Sequence, residues 1–133
     1  GYLDFQDKND ANIMHHMHYF FFPSQSDPTS DPVLFWFNGG PGCSSLLGAL
    51  YEHGPFLVND AFGFLMNNKF SWNKKASVVY IESPSLVGFS YMDNAPKKYV
   101  WNDELVAVLN KLSVIEFFNV WKEYAKLDVY IAG

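Results

Sequence analysis

Pro32-Val33-Leu34-Phe35-Trp36-Phe37-Asn38-Gly39-Gly40-Pro41-Gly42-Cys43-Ser44-Ser45 is the stretch on which the rest of the chain depends. Residues 33–37 form an unbroken apolar run with β-branched and aromatic members, the pattern of a strand covered on both faces. Gly39, Gly40 and Gly42 then leave the backbone bare, free to take φ > 0 and to let a ligand approach its N–H groups. Ser44 and Ser45 open a helix-compatible stretch over residues 46–53, and either is a suitable cap. Strand, glycine loop and helix start, in that order, put backbone donors and a helix N-terminus where an anion can sit. Such a place suits an oxyanion hole, although a tight turn alone would also account for the glycines.

Composition narrows the alternatives. The 133 residues suffice for one domain, and 49% hydrophobic with 19% aromatic content provides for a sizeable core. A net charge of −5 without a basic run argues against nucleic acid and anionic membrane as partners. Apolar runs reach about five residues, far short of the roughly 18 that a membrane-spanning helix needs. The sequence opens on Gly1 rather than Met and shows no signal peptide, so we expect it to start inside a longer precursor. Cys43 is the single cysteine. In a secreted protein that implies a partner elsewhere or a free thiol; in a cytosolic one it is unremarkable.

Working outward from the glycine loop, residues 1–6 and 13–22 read as two strands joined by a turn at Asn9-Asp10, hence an antiparallel hairpin. Alternation puts His16 and His18 on one face of the second strand and His15 on the other. A metal site there would lack a third ligand in the same segment, so the histidines read as surface or interface residues and no metal is expected. Residues 23–32 are a loop. Within residues 46–53, Leu47 and Tyr51 share a face with Glu52 beside them, and Gly54-Pro55 ends the helix. Residues 56–75 read as an irregular excursion packed through Phe56, Phe62, Phe64, Phe70 and Trp72. A buried strand at 76–83, a turn at 85–91 and a loop at 93–98 follow. A helix then runs from Asn102 or Asp103 to about Tyr124, with Leu105, Val108, Leu109, Leu112 and Ile115 at helical spacing, and a last strand lies in 127–133. The pattern is an α/β fold with a mixed sheet whose inner strands are parallel, and ligands bind such sheets beyond the carboxyl ends of the strands.

The segment from Asn38 to Ser45 resembles the signature loop of the serine carboxypeptidases, a branch of the α/β-hydrolase fold. Gly1-Tyr2-Leu3, Glu52-His53-Gly54-Pro55 and Phe70-Ser71-Trp72-Asn73 are similar to further family segments. So are Glu82-Ser83-Pro84, Val87-Gly88-Phe89-Ser90-Tyr91, Asn102-Asp103-Glu104 and Asp128-Val129-Tyr130-Ile131-Ala132-Gly133. The resemblance spans residues 1–133 as one partial domain, the N-terminal part of an α/β-hydrolase-type mixed sheet before its nucleophile elbow.

It implies a hydrolase that releases C-terminal residues of peptides and proteins through an acyl-enzyme, without cofactor. In the family Ile-Ala-Gly continues into Glu-Ser-Tyr-Ala-Gly, whose serine is the nucleophile; the chain stops at Gly133. None of the triad is then expected among these residues, Ser44, Ser45 and Ser90 are no substitutes, and the chain by itself is expected to be inactive. The remainder of the carboxypeptidase chain is the partner so implied. By the same resemblance the N–H of Gly40, supported by Gly39, is an oxyanion donor. Asn38, Glu52 and Trp36 serve the substrate's carboxylate, Glu52 by sharing a proton with the glutamate before the nucleophile. Leu47 and Tyr51 line the pocket for the departing residue, favouring hydrophobic ones, and Cys43 pairs with a cysteine outside the chain. The implied location is the secretory pathway, vacuolar, lysosomal or extracellular. An acyltransferase of the same fold, or a non-catalytic remnant, are the alternatives. Four positions depart from the family pattern: Ser85-Leu86 replaces Ala-Gly, Leu109 an acidic residue and Lys122 a proline. If the replaced glycine needs φ > 0, Leu86 costs about 1–2 kcal/mol.

Overall fold

The computed structural model describes residues 1–61 and 63–133. Its regular elements are chiefly eight strands and one long helix: β1 (Tyr2–Gln6), β2 (Met14–Phe22), β3 (Val33–Trp36), β4 (Phe56–Asn59), β5 (Phe64–Asn67), β6 (Ser77–Ile81), β7 (Tyr91–Asp93), α1 (Asp103–Val120) and β8 (Val129–Ala132). The main sheet runs β1-β2-β6-β3-β8, with β7 also on β2. β1 and β2 form the expected antiparallel hairpin, with Tyr2 opposite His18 and Gln6 opposite Met14. β3 pairs in parallel with β6 on one side and β8 on the other. The sheet is therefore mixed, antiparallel at one end and parallel at the other, as the order of elements requires.

The inner strands are covered on both faces. Val33 and Phe35 of β3 and Val79 and Ile81 of β6 join Leu3, Met17, Leu109 and Phe117 in one core beneath α1. Val78 and Tyr80 face the other way and meet Ala49, with Trp36, Phe20 and Phe22 packed alongside. All five residues of β6 are buried, which is why it reads as a continuous apolar run rather than an alternating one. Asn102 caps α1 by accepting the Leu105 N–H on its Oδ1 at 2.9 Å, and Asp103 and Glu104 favour its positive end.

Four expectations need correction. Residues 56–75 are not an irregular packed excursion: β4 and β5 form a separate antiparallel hairpin. Its aromatic and apolar side chains Phe56, Phe64, Leu65 and Met66 are exposed, as are Phe70 and Trp72, because the two-stranded hairpin stands apart from the main sheet. Phe62 lies outside the described residues. Second, α1 stops at Val120 and gives way to a 3-10 turn at Lys122–Tyr124. Its buried line is Leu109, Ser113 and Phe117, a perfect i, i+4, i+8 row, while Ile115 is exposed. Ser113 escapes hydropathy because its hydroxyl is satisfied locally by donating to the Leu109 carbonyl at 2.9 Å.

The third correction concerns residues 46–53, whose main part is a π-helical turn, Gly48–Glu52, entered through one helical step at Leu46 and Leu47. The fourth concerns His15, which is fully buried rather than on a surface. Its Nδ1 lies 2.9 Å from Ser85 Oγ and its Nε2 3.0 Å from Asp7 Oδ2. Burial tends to raise the Asp7 carboxyl, but hydrogen bonds from His15 and from the Asn9 and Asp10 N–H groups outweigh it and hold it below the usual carboxylate range.

Candidate functional site

The carboxyl ends of β3 and β6 meet the glycine loop and the start of α1 around a cavity of about 380 Å³. Phe37, Asn38, Pro41, Pro84, Trp101 and Asn110 are among its lining. This is where a mixed α/β sheet places its ligand. Leu47 and Tyr51, expected to form a side-chain pocket, do not line that cavity. They stand together on the exposed side of the π-helical turn, and the Tyr51 hydroxyl donates to Asp60 Oδ1 at 3.3 Å.

Asn38 leaves β3 half-buried and is fixed from three directions. Its Oδ1 accepts the Trp36 Nε1–H at 2.7 Å and the Gly48 N–H at 3.2 Å. Its own backbone N–H donates to Ser45 Oγ at 3.0 Å, and that hydroxyl donates onward to the Ile81 carbonyl at 2.6 Å. With the amide oxygen doubly engaged, the Asn38 NH₂ is the end left to donate outward. Gly48 makes this possible, since a Cβ there would come within 2.5 Å of Trp36 Nε1 and 3.1 Å of Asn38 Oδ1. The signal for Gly48 in the sequence is slight: a glycine inside a helix-compatible run, costly unless something must approach closely.

Gly40 has φ +139°, and a Cβ on it would lie 2.9 Å from Cys43 Sγ. Only glycine fits such a backbone, and among the described residues nothing accepts its exposed N–H. Cys43 is exposed, a free thiol in this chain. The loop is tied down from below by Glu82, a carboxylate with no exposure at the end of β6. Glu82 accepts from the Ser44 hydroxyl on Oε1 and from the Phe89 N–H at 2.9 Å on Oε2, with His18 Nδ1 at 2.8 Å. Ser44 in turn accepts the Leu46 N–H at 3.1 Å, so it is the serine that caps. Reading segments singly misses this knot, because its members lie 38 and 64 residues apart.

Glu52 is exposed on the last residue of the π-helical turn, and its carboxylate lies 3.7 Å from His53 Nε2. Among the described residues no hydrogen bond joins it to Asn38, although Trp36 touches both neighbourhoods through an edge contact with the His53 ring, centroids 4.4 Å apart. Desolvation pushes the buried His53 imidazole below its ordinary value against the opposing pull of Glu52. Burial, and then the Glu52 charge, push the Tyr80 phenol far above its usual range. No group of three or more metal-ligating side chains occurs among the described residues. The three histidines of β2 each take carboxylate or hydroxyl partners instead.

Known proteins share both sequence and fold. The lysosomal protective protein of Mus musculus is 47% identical over 133 residues, all of this chain and 26% of the relative. A serine carboxypeptidase of Caenorhabditis elegans is 44% identical over all of this chain and 23% of its own length. Carboxypeptidase Y homolog A of Podospora anserina is 44% identical, with 22% of it covered. A prohormone-processing carboxypeptidase of Saccharomyces cerevisiae superposes with a TM-score of 0.73 at 26% identity, over 98% of this chain and 29% of that one. The chain thus spans about a quarter of the length of these relatives. The model of the family described as serine carboxypeptidase matches residues 1–133, and the chain belongs to that family.

Proposed function

We propose that this chain is the oxyanion and carboxylate-binding part of a serine carboxypeptidase that hydrolyses C-terminal residues of peptides through an acyl-enzyme. The observation that carries the reading is Asn38, whose amide oxygen is held by Trp36 and Gly48 so that its NH₂ faces outward as an uncharged donor. A substrate that ends in a free carboxylate needs such a donor; an internal peptide bond or an ester does not. Gly40 supplies a backbone N–H on a residue without Cβ, suited to a developing oxyanion. Glu52 adds a second carboxylate-binding group when protonated, and Leu47 and Tyr51 meet the departing hydrophobic side chain. The nucleophile and its acid and base come from the rest of the protein, Cys43 is bridged to a cysteine there, and the enzyme works in the secretory pathway or lysosome.

The test uses the full-length protein that carries this chain. Asn38→Ala is expected to raise KM for peptides with a free C-terminal carboxylate by about 10-fold or more, the worth of a hydrogen bond to a charged group, with kcat little changed. The same peptides amidated at the C-terminus should hardly respond. Gly40→Ala is expected to lower kcat by roughly 10²–10³-fold for both. Equal losses on free and amidated peptides in the Asn38 variant would show that Asn38 serves the fold or the chemistry rather than carboxylate capture. Efficient transfer of the acyl group to a non-water acceptor in preference to hydrolysis would favour the acyltransferase reading.

A further inference from the structure

His53 sits beside the proposed carboxylate site without a role. It is buried between aromatic rings: stacked on Trp72 with centroids 4.0 Å apart and a 12° interplanar angle, flanked by Tyr80, and edge-on to Trp36. Its backbone is pinned on both sides, the N–H donating to the Gly48 carbonyl at 3.0 Å and the C=O accepting the Trp72 N–H at 2.9 Å. The ring cannot turn freely in such a slot. Nδ1 lies 2.9 Å from the Tyr80 hydroxyl. Nε2 is buried and has no hydrogen-bond partner, and the nearest group of opposite character is the Glu52 carboxyl at 3.7 Å.

A buried ring nitrogen left unpaired costs on the order of 1–3 kcal/mol, so its orientation calls for a reason. If Nε2 carried the lone pair, an ionised Glu52 would oppose it acceptor to acceptor, and a protonated Glu52 would turn its proton to the ring rather than to the substrate. If Nε2 carries the proton, Tyr80 O–H donates to Nδ1 and Nε2–H is aimed at Glu52, a donor facing an acceptor. We propose that His53 is a positioning residue that, held as the Nε2–H tautomer by Tyr80, orients the Glu52 carboxyl for the substrate's C-terminal carboxylate. Nε2–H is directed at Glu52 Oε2, 3.7 Å away and just outside hydrogen-bond reach, and favours negative character on that oxygen; the other is then the oxygen that bears the proton and donates to the substrate. Glu52 and Tyr80 are the titratable groups that face the imidazole, and the Trp36 and Trp72 rings close its other sides. Burial disfavours the charged imidazole, so the ring meets the neighbouring carboxyl as a neutral donor.

This rests on the reading of Glu52 as a carboxylate-binding residue, and the experiment separates the two. In the full-length protein, His53→Leu, His53→Gln, Tyr80→Phe and Glu52→Ala are compared on one peptide with a free and an amidated C-terminus across pH. His53→Leu is expected to raise KM for the free peptide by about 5–10-fold with kcat unchanged, the worth of one hydrogen bond. The amidated peptide should not respond. His53→Gln, with an N–H₂ near the position of Nε2, should recover most of the discrimination. Tyr80→Phe keeps the ring packed and should move KM in the same direction by a smaller factor, about 3-fold. An unchanged KM in Tyr80→Phe overturns the assigned tautomer, and equal losses on both peptides in His53→Leu overturn the positioning role. If Glu52→Ala collapses the discrimination and His53→Leu leaves it intact, His53 alone is misassigned. If Glu52→Ala leaves it intact, the carboxylate reading of Glu52 fails and the role of His53 falls with it.

Discussion

Leu86 has φ +81°, a left-handed backbone that β-carbons disfavour, and its side chain is 60% exposed. It accepts that conformation because its N–H donates to the Ser90 carbonyl at 2.9 Å, closing the turn that carries Phe89 back to Glu82. Nothing buried would be lost on removing the side chain. Leu86→Gly is therefore expected to stabilise the protein by about 1 kcal/mol, the steric relief less the extra chain entropy of glycine. Denaturant melting reads this as a higher midpoint at unchanged slope, and a lower midpoint would mean that the Leu86 side chain has a partner in the full protein. The position also shows what a sequence discloses at this scale. A leucine where the resemblance leads one to expect glycine flags the φ, and the backbone of Leu86 is left-handed. The positive φ of Gly40 was likewise legible, because a glycine-rich loop after a buried strand flags backbone that other residues avoid. His53 was not, since its interest lies in the unpaired Nε2, and no pattern of residue types encodes which nitrogen of a ring faces what.

At the scale of elements, β1, β2 and β7 are held together by a row of side chains on the face away from α1. His16 Nδ1 lies 2.8 Å from Asp4 of β1 and its Nε2 3.1 Å from Asp93 of β7, while its ring stacks on Tyr91 at 4.3 Å. Desolvation pulls the imidazole down, but hydrogen bonds to Asp4 and Asp93 and their charges outweigh it and hold His16 above its ordinary value. A group whose pKa is raised on folding stabilises the fold fully below its unfolded value, near 6.5, and that contribution is lost as pH rises through the folded value. Stability from this cluster should thus decline from about pH 6.5 upward. Urea titrations at a series of pH values should show the decline in the natural sequence and a flatter profile in Asp4→Asn with Asp93→Asn. An identical slope in both would remove His16 as the source. Asp93 was out of reach of the sequence because β7 is a three-residue strand whose pairing depends on the turn before it. The long strands and α1 were legible because their apolar runs and cap are local signals. The β4–β5 hairpin was missed because its strands bury little, so alternation has no buried face to mark.

For the whole molecule, the sheet has one consequence that its parts do not. β8 pairs with β3 along one side, and among the described residues no strand pairs with its other side. Val129, Tyr130 and Ile131 on it are 42%, 56% and 67% exposed. A parallel strand with apolar side chains and open backbone N–H and C=O groups is a template for a further strand or for another copy. Charge does little to prevent this, since the excess of −5 is spread over the chain and β8 itself carries none. The chain produced by itself is accordingly expected to self-associate. Ile131→Lys should shift it toward monomer, because a lysine at an edge cannot be desolvated cheaply. Sedimentation velocity at several concentrations distinguishes the outcomes. The same preparation should remain unlabelled by a fluorophosphonate probe, since the groups proposed to react with it are not among these residues, and rapid labelling would place a nucleophile where none is proposed. A monodisperse, cooperatively melting monomer that is indifferent to Ile131→Lys would mean that the β8 edge is not adhesive, and that its exposed side chains are covered by a rearrangement within the chain.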